Sequence, residues 1–317
     1  MLILITGANG FVGKATAIEL AANKENIVRV AVRKLAGYFP SSVEVYENLD
    51  LETSDWSNVL ENVDVIVHCA ARVHVMNEKS TNPIDAFRKV NVDGTLKLAK
   101  QAAVSGVKRL IYLSSLKVNG ENTKIGSPIT AEDAPNPVDP YGISKLEAEN
   151  ELLKISSESE LEIVIIRPPL VYGPGVKANF LSMLRWLDKS IPLPFGRTEN
   201  RRSFVAIENL VDLIRVCCFH KAAKNQIFLV SDDQDLSTTE LLVSIGKSLN
   251  KKTRLISISP SFMSFVAGAL GKSAISQRLL GSLQVDISKN KSLLDWTPPI
   301  KVDETLKRTA EYFKKNK

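Results

Sequence analysis

Through the first half of the chain, short runs of Val, Ile and Leu alternate with longer amphipathic stretches. Residues 2–6 (LILIT) read as a strand, followed by a helical pattern over about 11–23 and a second strand at 27–32. A short strand near 43–46 and another at 63–69 come next. A long helical pattern spans about 84–105, then a strand at 109–114, a helix starting near Pro140 and a strand at 162–167. Continuous apolar strands separated by helices suit a parallel sheet covered on both faces, because each crossover helix buries one face. The predicted fold class is therefore α/β, a doubly wound, Rossmann-type parallel sheet.

After Arg167 the texture changes. Pro168, Pro169, Gly173, Pro174, Gly175, Pro192, Pro194 and Gly196 punctuate the chain, with short elements between them. Residues 227–230 (IFLV) read as a strand that rejoins the main sheet. The expected organisation is a sheet domain over 1–172, with 204–232 returning to it. A smaller lobe of 173–203 and 233–317 closes over the carboxyl edge of the sheet, where open α/β sheets bind ligands.

Composition narrows this picture more by exclusion than by indication. Hydrophobic residues make up 44% and charged residues 24% of the 317, ordinary for a folded globular chain. The net charge of +6 is spread along the sequence without aromatic interleaving, so no nucleic-acid partner is expected. The densest basic run, 307–317, reads as a solvated C-terminal helix, and part of the positive balance suits an anionic cofactor and substrate. The longest apolar stretch, 262–270, is far short of the roughly 20 residues a spanning helix needs. It reads as a buried or partly exposed helix, with loose membrane-surface contact as the alternative; no integral membrane segment is expected. Cys69, Cys217 and Cys218 form no disulfide framework and suit a reducing compartment. With three histidines and no close Cys/His spacing, no metal site is predicted. A first strand at residue 2 leaves no signal peptide before the fold, and a cytoplasmic location is expected.

Chemistry enters at the first turn. Thr6-Gly7-Ala8-Asn9-Gly10-Phe11-Val12-Gly13 joins the first strand to the first helix. Its glycines allow a tight turn and close backbone approach to a pyrophosphate, which would sit on the positive end of the helix. At the end of the second strand, where an acid would accept the ribose hydroxyls of NAD, the chain has Arg33. A guanidinium there would pair a 2′-phosphate, which points to NADP, with NAD as the alternative. Farther on, Asp139 and Pro140 read as a helix cap and first turn. Tyr141 and Lys145, four apart, then share one helix face. A phenol with a pKa near 10 is a poor base at neutral pH. A nearby ammonium and a nicotinamide cation would stabilise the phenolate and lower that pKa.

These motifs, in this order, resemble the extended short-chain dehydrogenase/reductase family, of NAD-dependent epimerase/dehydratase type, over essentially the whole chain. The resemblance implies a dinucleotide-binding domain and a nucleotide-sugar lobe. It implies that Tyr141 exchanges a proton with a reacting oxygen held by Ser115, the last residue of Tyr112-Leu113-Ser114-Ser115. Lys145 would also bond the nicotinamide ribose, while Asn91 would order the site from the helix beneath it. Gly7, Asn9, Gly10, Phe11, Val12, Gly13, Arg33, Asp50, Leu51, Ala70, Ala71 and Pro168 complete the implied cofactor set. Ser114 is expected to satisfy backbone groups at the strand end.

Residues 167–175 (RPPLVYGPG), 201–205 (RRSFV) and 286–298 match the nucleotide-sugar enzymes of the family. Arg72, Ser115, Lys117, Asn179, Arg202 and Arg278 are the implied substrate contacts, with Arg202 on the diphosphate. Residues 114–121 (SSLKVNGE) resemble most the bacterial enzymes that reduce UDP-4-keto-6-deoxy-N-acetylhexosamines for surface polysaccharide. The expected activity is that 4-ketoreduction; the alternative is a UDP-hexose 4-epimerase with bound NAD, and the least favoured reading is a non-catalytic NADP sensor. Asn119 departs from a tyrosine common at its position, and the usual Arg-x-x-Asp uridine pair is not evident. The family resemblance also implies a homodimer built on the helices after Ile84 and Pro140.

Overall fold

The computed structural model describes residues 1–73, 82–271 and 273–317. Nine strands lie among the described residues: β1 (Leu2–Thr6), β2 (Ile27–Ala31), β3 (Val43–Tyr46), β4 (Val65–His68), β5 (Arg109–Leu113), β6 (Glu162–Arg167), β7 (Leu170–Tyr172), β8 (Phe204–Ala206) and β9 (Ile227–Leu229). Seven form one parallel sheet in the order β3-β2-β1-β4-β5-β6-β9. The order reverses between β1 and β4, and the carboxyl ends of these two strands open the crevice that a doubly wound sheet leaves for a ligand. β9 rejoins the sheet at its far edge, as the apolar run at 227–230 predicts.

Both faces of the sheet are buried, which explains why its strands are apolar at nearly every position. Ile3, Ile5, Val28, Val30, Val164 and Ile166 pack on one side against Ala17, Leu20 and Leu213. Leu4, Ile66, Leu110 and Ile163 pack on the other against Leu98, Ala102, Ala148 and Leu152. A third core joins Tyr172, Phe180, Leu184, Leu241, Ile245, Leu306 and Phe313 in the lobe, beside the two-stranded β7–β8 sheet. The helix Val302–Lys315 buries Leu306, Ala310 and Phe313 while its lysines stay in water, so the basic C-terminus is an amphipathic packing element. Ile287, Leu294 and Trp296, from the stretch 286–298, pack in the core of the main sheet.

The predicted single helix at 84–105 is interrupted. It runs as Pro83–Arg88, a π-helical turn at Lys89–Gly94, and Thr95–Val104. The apolar period reads through this segment because the helices on both sides keep one face to the core. The inserted turn carries Asn91, whose role is clear only from its partners. Among the described residues no helix is long and apolar enough to cross a membrane.

Candidate active site

A cleft of about 1060 Å³ opens at the carboxyl ends of the strands. Its walls are the segments that follow them: Thr6–Gly13 apart from Ala8, Ala31–Lys34, Leu49–Glu52, Cys69–Val73, Leu113–Ser115 and Pro168–Pro169, together with Tyr141. Of the cofactor set, Gly7, Asn9, Gly10, Phe11, Val12, Gly13, Arg33, Asp50, Leu51, Ala70, Ala71 and Pro168 all line it.

The phosphate turn is built by exclusion of side chains. Gly7 has φ of +69°, and a Cβ there would lie 2.5 Å from the Ala70 amide nitrogen. At Gly13 a Cβ would meet the Gly7 carbonyl oxygen at 2.4 Å. Both neighbours are backbone and cannot swing aside, so strand, turn and helix meet at a distance only glycine permits. The helix Phe11–Ala22 begins here with no side-chain cap, so its first amides face the cleft for an anion to take. The residues present thus fit a dinucleotide's pyrophosphate. Gly13→Ala is expected to weaken dinucleotide binding at least about tenfold and to destabilise the fold by about 1–3 kcal/mol, as overpacking does. Titration with NAD and urea unfolding would measure both.

Asn9 spends its side chain on the adjoining segment, donating to the Lys34 carbonyl at 2.8 Å and accepting from the Ala36 amide at 3.2 Å. It fixes the turn to the residues after β2. Arg33 stands exposed at the end of that strand on the cleft wall. The Asp50 carboxylate accepts from the Glu52 amide at 2.9 Å, holding its loop against the cleft.

The helix Pro140–Glu158 presents the chemistry. Asp139 caps it by accepting from the Gly142 amide at 2.7 Å, with Pro140 in the first turn. Tyr141 reaches the cleft, its ring edge against Phe87 with centroids 6.1 Å apart. Its hydroxyl shares the cleft wall with Ser115, which acts on its proton. Burial first and the Asp139 charge next push the phenol up to about 12, with the Ser115 hydroxyl pulling partly back. The expected lowering is therefore absent from the protein's own field, and positive charge on a bound nicotinamide is what would supply it.

Lys145 is 1% exposed and lies behind the cleft wall, its ammonium 4.1 Å from the centre of the Tyr112 ring. Burial lowers it to about 7 against the opposing pull of Glu149. Asn91 is equally buried and also stands outside the cleft lining. Its amide group donates to the Arg72 carbonyl and to Ser144 Oγ, each at 3.0 Å, and accepts from the Arg72 amide at 2.7 Å. Ser144 in turn donates to the Tyr141 carbonyl at 2.8 Å. Asn91 therefore connects the Arg72 wall to the helix that carries Tyr141.

Beneath these residues lies a network that motif matching does not single out. The Arg167 guanidinium, at the end of β6, meets the Glu149 carboxylate at 2.5 Å with both side chains almost fully buried. Arg167 also donates to Asn119 Oδ1 at 3.0 Å. Ser114 donates its hydroxyl to Glu149, so its partner is a carboxylate and not the backbone groups expected. Asn119 thus fills the tyrosine's usual place as an acceptor for Arg167. The signal in the sequence is the spacing Tyr141, Lys145, Glu149, three turns on one face. On the other side, Thr6 Oγ1 and Thr95 Oγ1 bond the two ring nitrogens of His68, at 2.6 and 2.9 Å. Burial pushes that imidazole down to about 3, so it is neutral.

The substrate-side residues are dispersed. Arg72 lines the cleft beside Tyr141. Lys117 is paired with Asp139 and, at 3.1 Å, with Glu121. Asn179 is exposed near the start of the helix Ala178–Asp188. Arg202 donates to the Gly281 carbonyl at 3.0 Å; burial lowers its pKa, the Glu121 charge opposes this, and the Arg278 charge adds a smaller lowering. Cys217 and Cys218 are buried and unbridged, and the described residues contain no cluster of His, Cys, Asp and Glu fit for a metal.

Residues 3–231 match the family described as the NAD dependent epimerase/dehydratase family. The chain is 47% identical over 313 residues to the UDP-glucose 4-epimerase of Vibrio cholerae, covering 98% of this chain and 95% of that protein. It is 28% identical to the UDP-glucose 4-epimerase of Mycolicibacterium smegmatis, over 99% of each chain. Among solved structures, UDP-glucuronic acid 4-epimerase from Bacillus cereus, in complex with NAD, superposes with a TM-score of 0.81 at 20% identity, covering 100% of this chain and 99% of that one. The glycine turn, the switch-point cleft and this whole-length similarity agree: the chain belongs to the NAD dependent epimerase/dehydratase family.

Proposed function

We propose that this protein is an NAD-dependent 4-epimerase of a UDP-linked hexose. The observation that carries the reading is the Ser115–Tyr141 hydroxyl pair facing the cleft, in a chain 47% identical to a UDP-glucose 4-epimerase along nearly its whole length. The likeness to 4-epimerases supports this activity over the 4-ketoreduction expected from residues 114–121.

The dinucleotide would supply a hydride acceptor and donor at sugar C4. It would be held by Gly7, Gly10 and Gly13 with the first amides of the helix, by Asp50 and Leu51 at the adenine end, and by Ala70, Ala71 and Pro168 farther in. In the forward half-reaction Tyr141 takes the proton of the C4 hydroxyl while Ser115 holds that oxygen by a hydrogen bond. The same phenol returns the proton to the opposite alcohol once the ketosugar has turned its other face to the hydride donor. Lys145 keeps positive charge behind the tyrosine and bonds the nicotinamide ribose. Arg202 and Arg278 bind the diphosphate, with Arg72 close to the sugar. A homodimer on the interrupted helical segment after Ile84 and the helix Pro140–Glu158, and a reducing, cytoplasmic setting for the buried thiols, complete the reading.

Arg33 supports the second reading, a reductase that consumes NADPH, because a guanidinium at the end of β2 suits a 2′-phosphate. The two separate cleanly. Purified protein should release NAD on denaturation and interconvert UDP-glucose and UDP-galactose, or their N-acetyl counterparts, with no added cofactor. Failure to do so, combined with stoichiometric loss of NADPH absorbance on UDP-4-keto-6-deoxy-GlcNAc, would replace the epimerase with the reductase.

A further inference from the structure

The helix Pro260–Ala269 buries none of its residues, although its sequence, PSFMSFVAGA, is almost wholly apolar. Phe262 is 59% exposed, Phe265 75%, Val266 38% and Leu270, just beyond the helix, 65%. Spaced at i, i+3, i+4 and i+8, these four form one stripe along the helix. A hydroxyl contact between Ser264 and Ser276, at 3.2 Å, fastens the helix to the neighbouring Ser273–Leu280, and the phenylalanines face solvent. A soluble chain rarely leaves a contiguous aromatic stripe uncovered unless something docks there.

The charge of the flanking sequence points to its partner. From residue 241 to residue 285 the sequence contains Lys247, Lys251, Lys252, Arg254, Lys272 and Arg278 and no aspartate or glutamate. Basic residues that flank an exposed apolar stripe in sequence suit a helix lying in the headgroup region of an anionic bilayer. Rings enter the acyl boundary, and lysine stems reach back to the phosphates. A second copy of the chain is disfavoured by the same charges, since a two-fold contact through this stripe would set one basic segment against its equal. Ten residues span only about 15 Å, so the helix can lie on a membrane but not cross it.

We propose that Pro260–Ala269 is a peripheral docking element for the surface of an anionic phospholipid bilayer. Helix Ser273–Leu280, packed beside it, carries Arg278, whose charge acts on Arg202. Docking would therefore turn the arginine end of the lobe toward the membrane.

The test is co-sedimentation of the full chain with vesicles of phosphatidylcholine and phosphatidylglycerol, against vesicles of phosphatidylcholine alone. The expected result is binding to the anionic vesicles only, released in about 1 M salt, where the screening length falls to about 3 Å. The double variant Phe262→Ser, Phe265→Ser should lower the bound-to-free ratio at least about tenfold. Both rings are exposed, so its unfolding curve should match the parent and rule out misfolding. Absence of binding to anionic vesicles, or equal binding to neutral ones, would overturn the proposal. So would a stripe whose substitution changes only the oligomeric state in analytical ultracentrifugation.

Discussion

Tyr141→Phe is expected to slow turnover by about 10²–10⁴-fold, the range contributed by a positioned acid–base group. The change removes one hydroxyl and keeps the ring that packs edge-on to Phe87, so urea unfolding should be unaltered. The pH dependence gives a second readout. Burial and Asp139 raise the phenol toward about 12, which leaves it protonated at neutral pH before a nicotinamide cation acts on it. The step that begins with proton removal from the sugar should then quicken as pH rises toward the tyrosine's pKa, and the phenylalanine variant should lose that slope. Intact turnover in Tyr141→Phe would remove the tyrosine from the chemistry. Ser115→Ala should give a smaller loss, because it takes away a hydrogen bond to the reacting oxygen but leaves the proton carrier.

Breaking the buried pair under the site should have the largest effect on stability. Glu149→Gln strands the Arg167 guanidinium in the interior, and Arg167→Met strands the carboxylate. Each is expected to cost about 3–5 kcal/mol, the usual consequence of leaving one buried charge without its partner. Chemical denaturation would show this as a lower midpoint at unchanged slope. The double variant Glu149→Leu, Arg167→Met should recover much of that loss, since an apolar pair of similar size escapes both desolvation penalties. Additive losses would mean that the two charges do not depend on each other. A further difference concerns Lys145. Glu149 favours its charged form, so Glu149→Gln should move the alkaline loss of activity set by Lys145 deprotonation to lower pH, which lost packing alone would not do.

Much of this arrangement was legible in the residues because it is local. The strand runs 2–6 and 162–167 are apolar at nearly every position, since helices cover both faces of the sheet. The glycine turn and the Asp139–Pro140 start are short-range signals whose geometry follows from a few backbone constraints. What stayed hidden depends on contacts distant in sequence. Nothing near Glu149 announces that Arg167 will lie at 2.5 Å, or that Ser114 will turn to the same carboxylate. Trp296 donates its indole N–H to Asp212, 84 residues earlier, which draws that stretch to the sheet's core. Lys145 shares a helix face with Tyr141, yet it ends behind the wall under the ring of Tyr112. Periodicity reports the face, but not how deep the face is buried.

The π-helical turn at Lys89–Gly94 has a consequence for how this chain tolerates change in length. Such a turn holds one residue more than an α-helix spans, while the helical segments on either side keep their register. Losing a residue there would restore an unbroken α-helix, with Leu98, Ala99 and Ala102 still facing the sheet. It would also take Asn91 away from Arg72 and Ser144. Length in this helix is thus set by the cleft and not by the core, and the surplus residue is one that folding alone would discard.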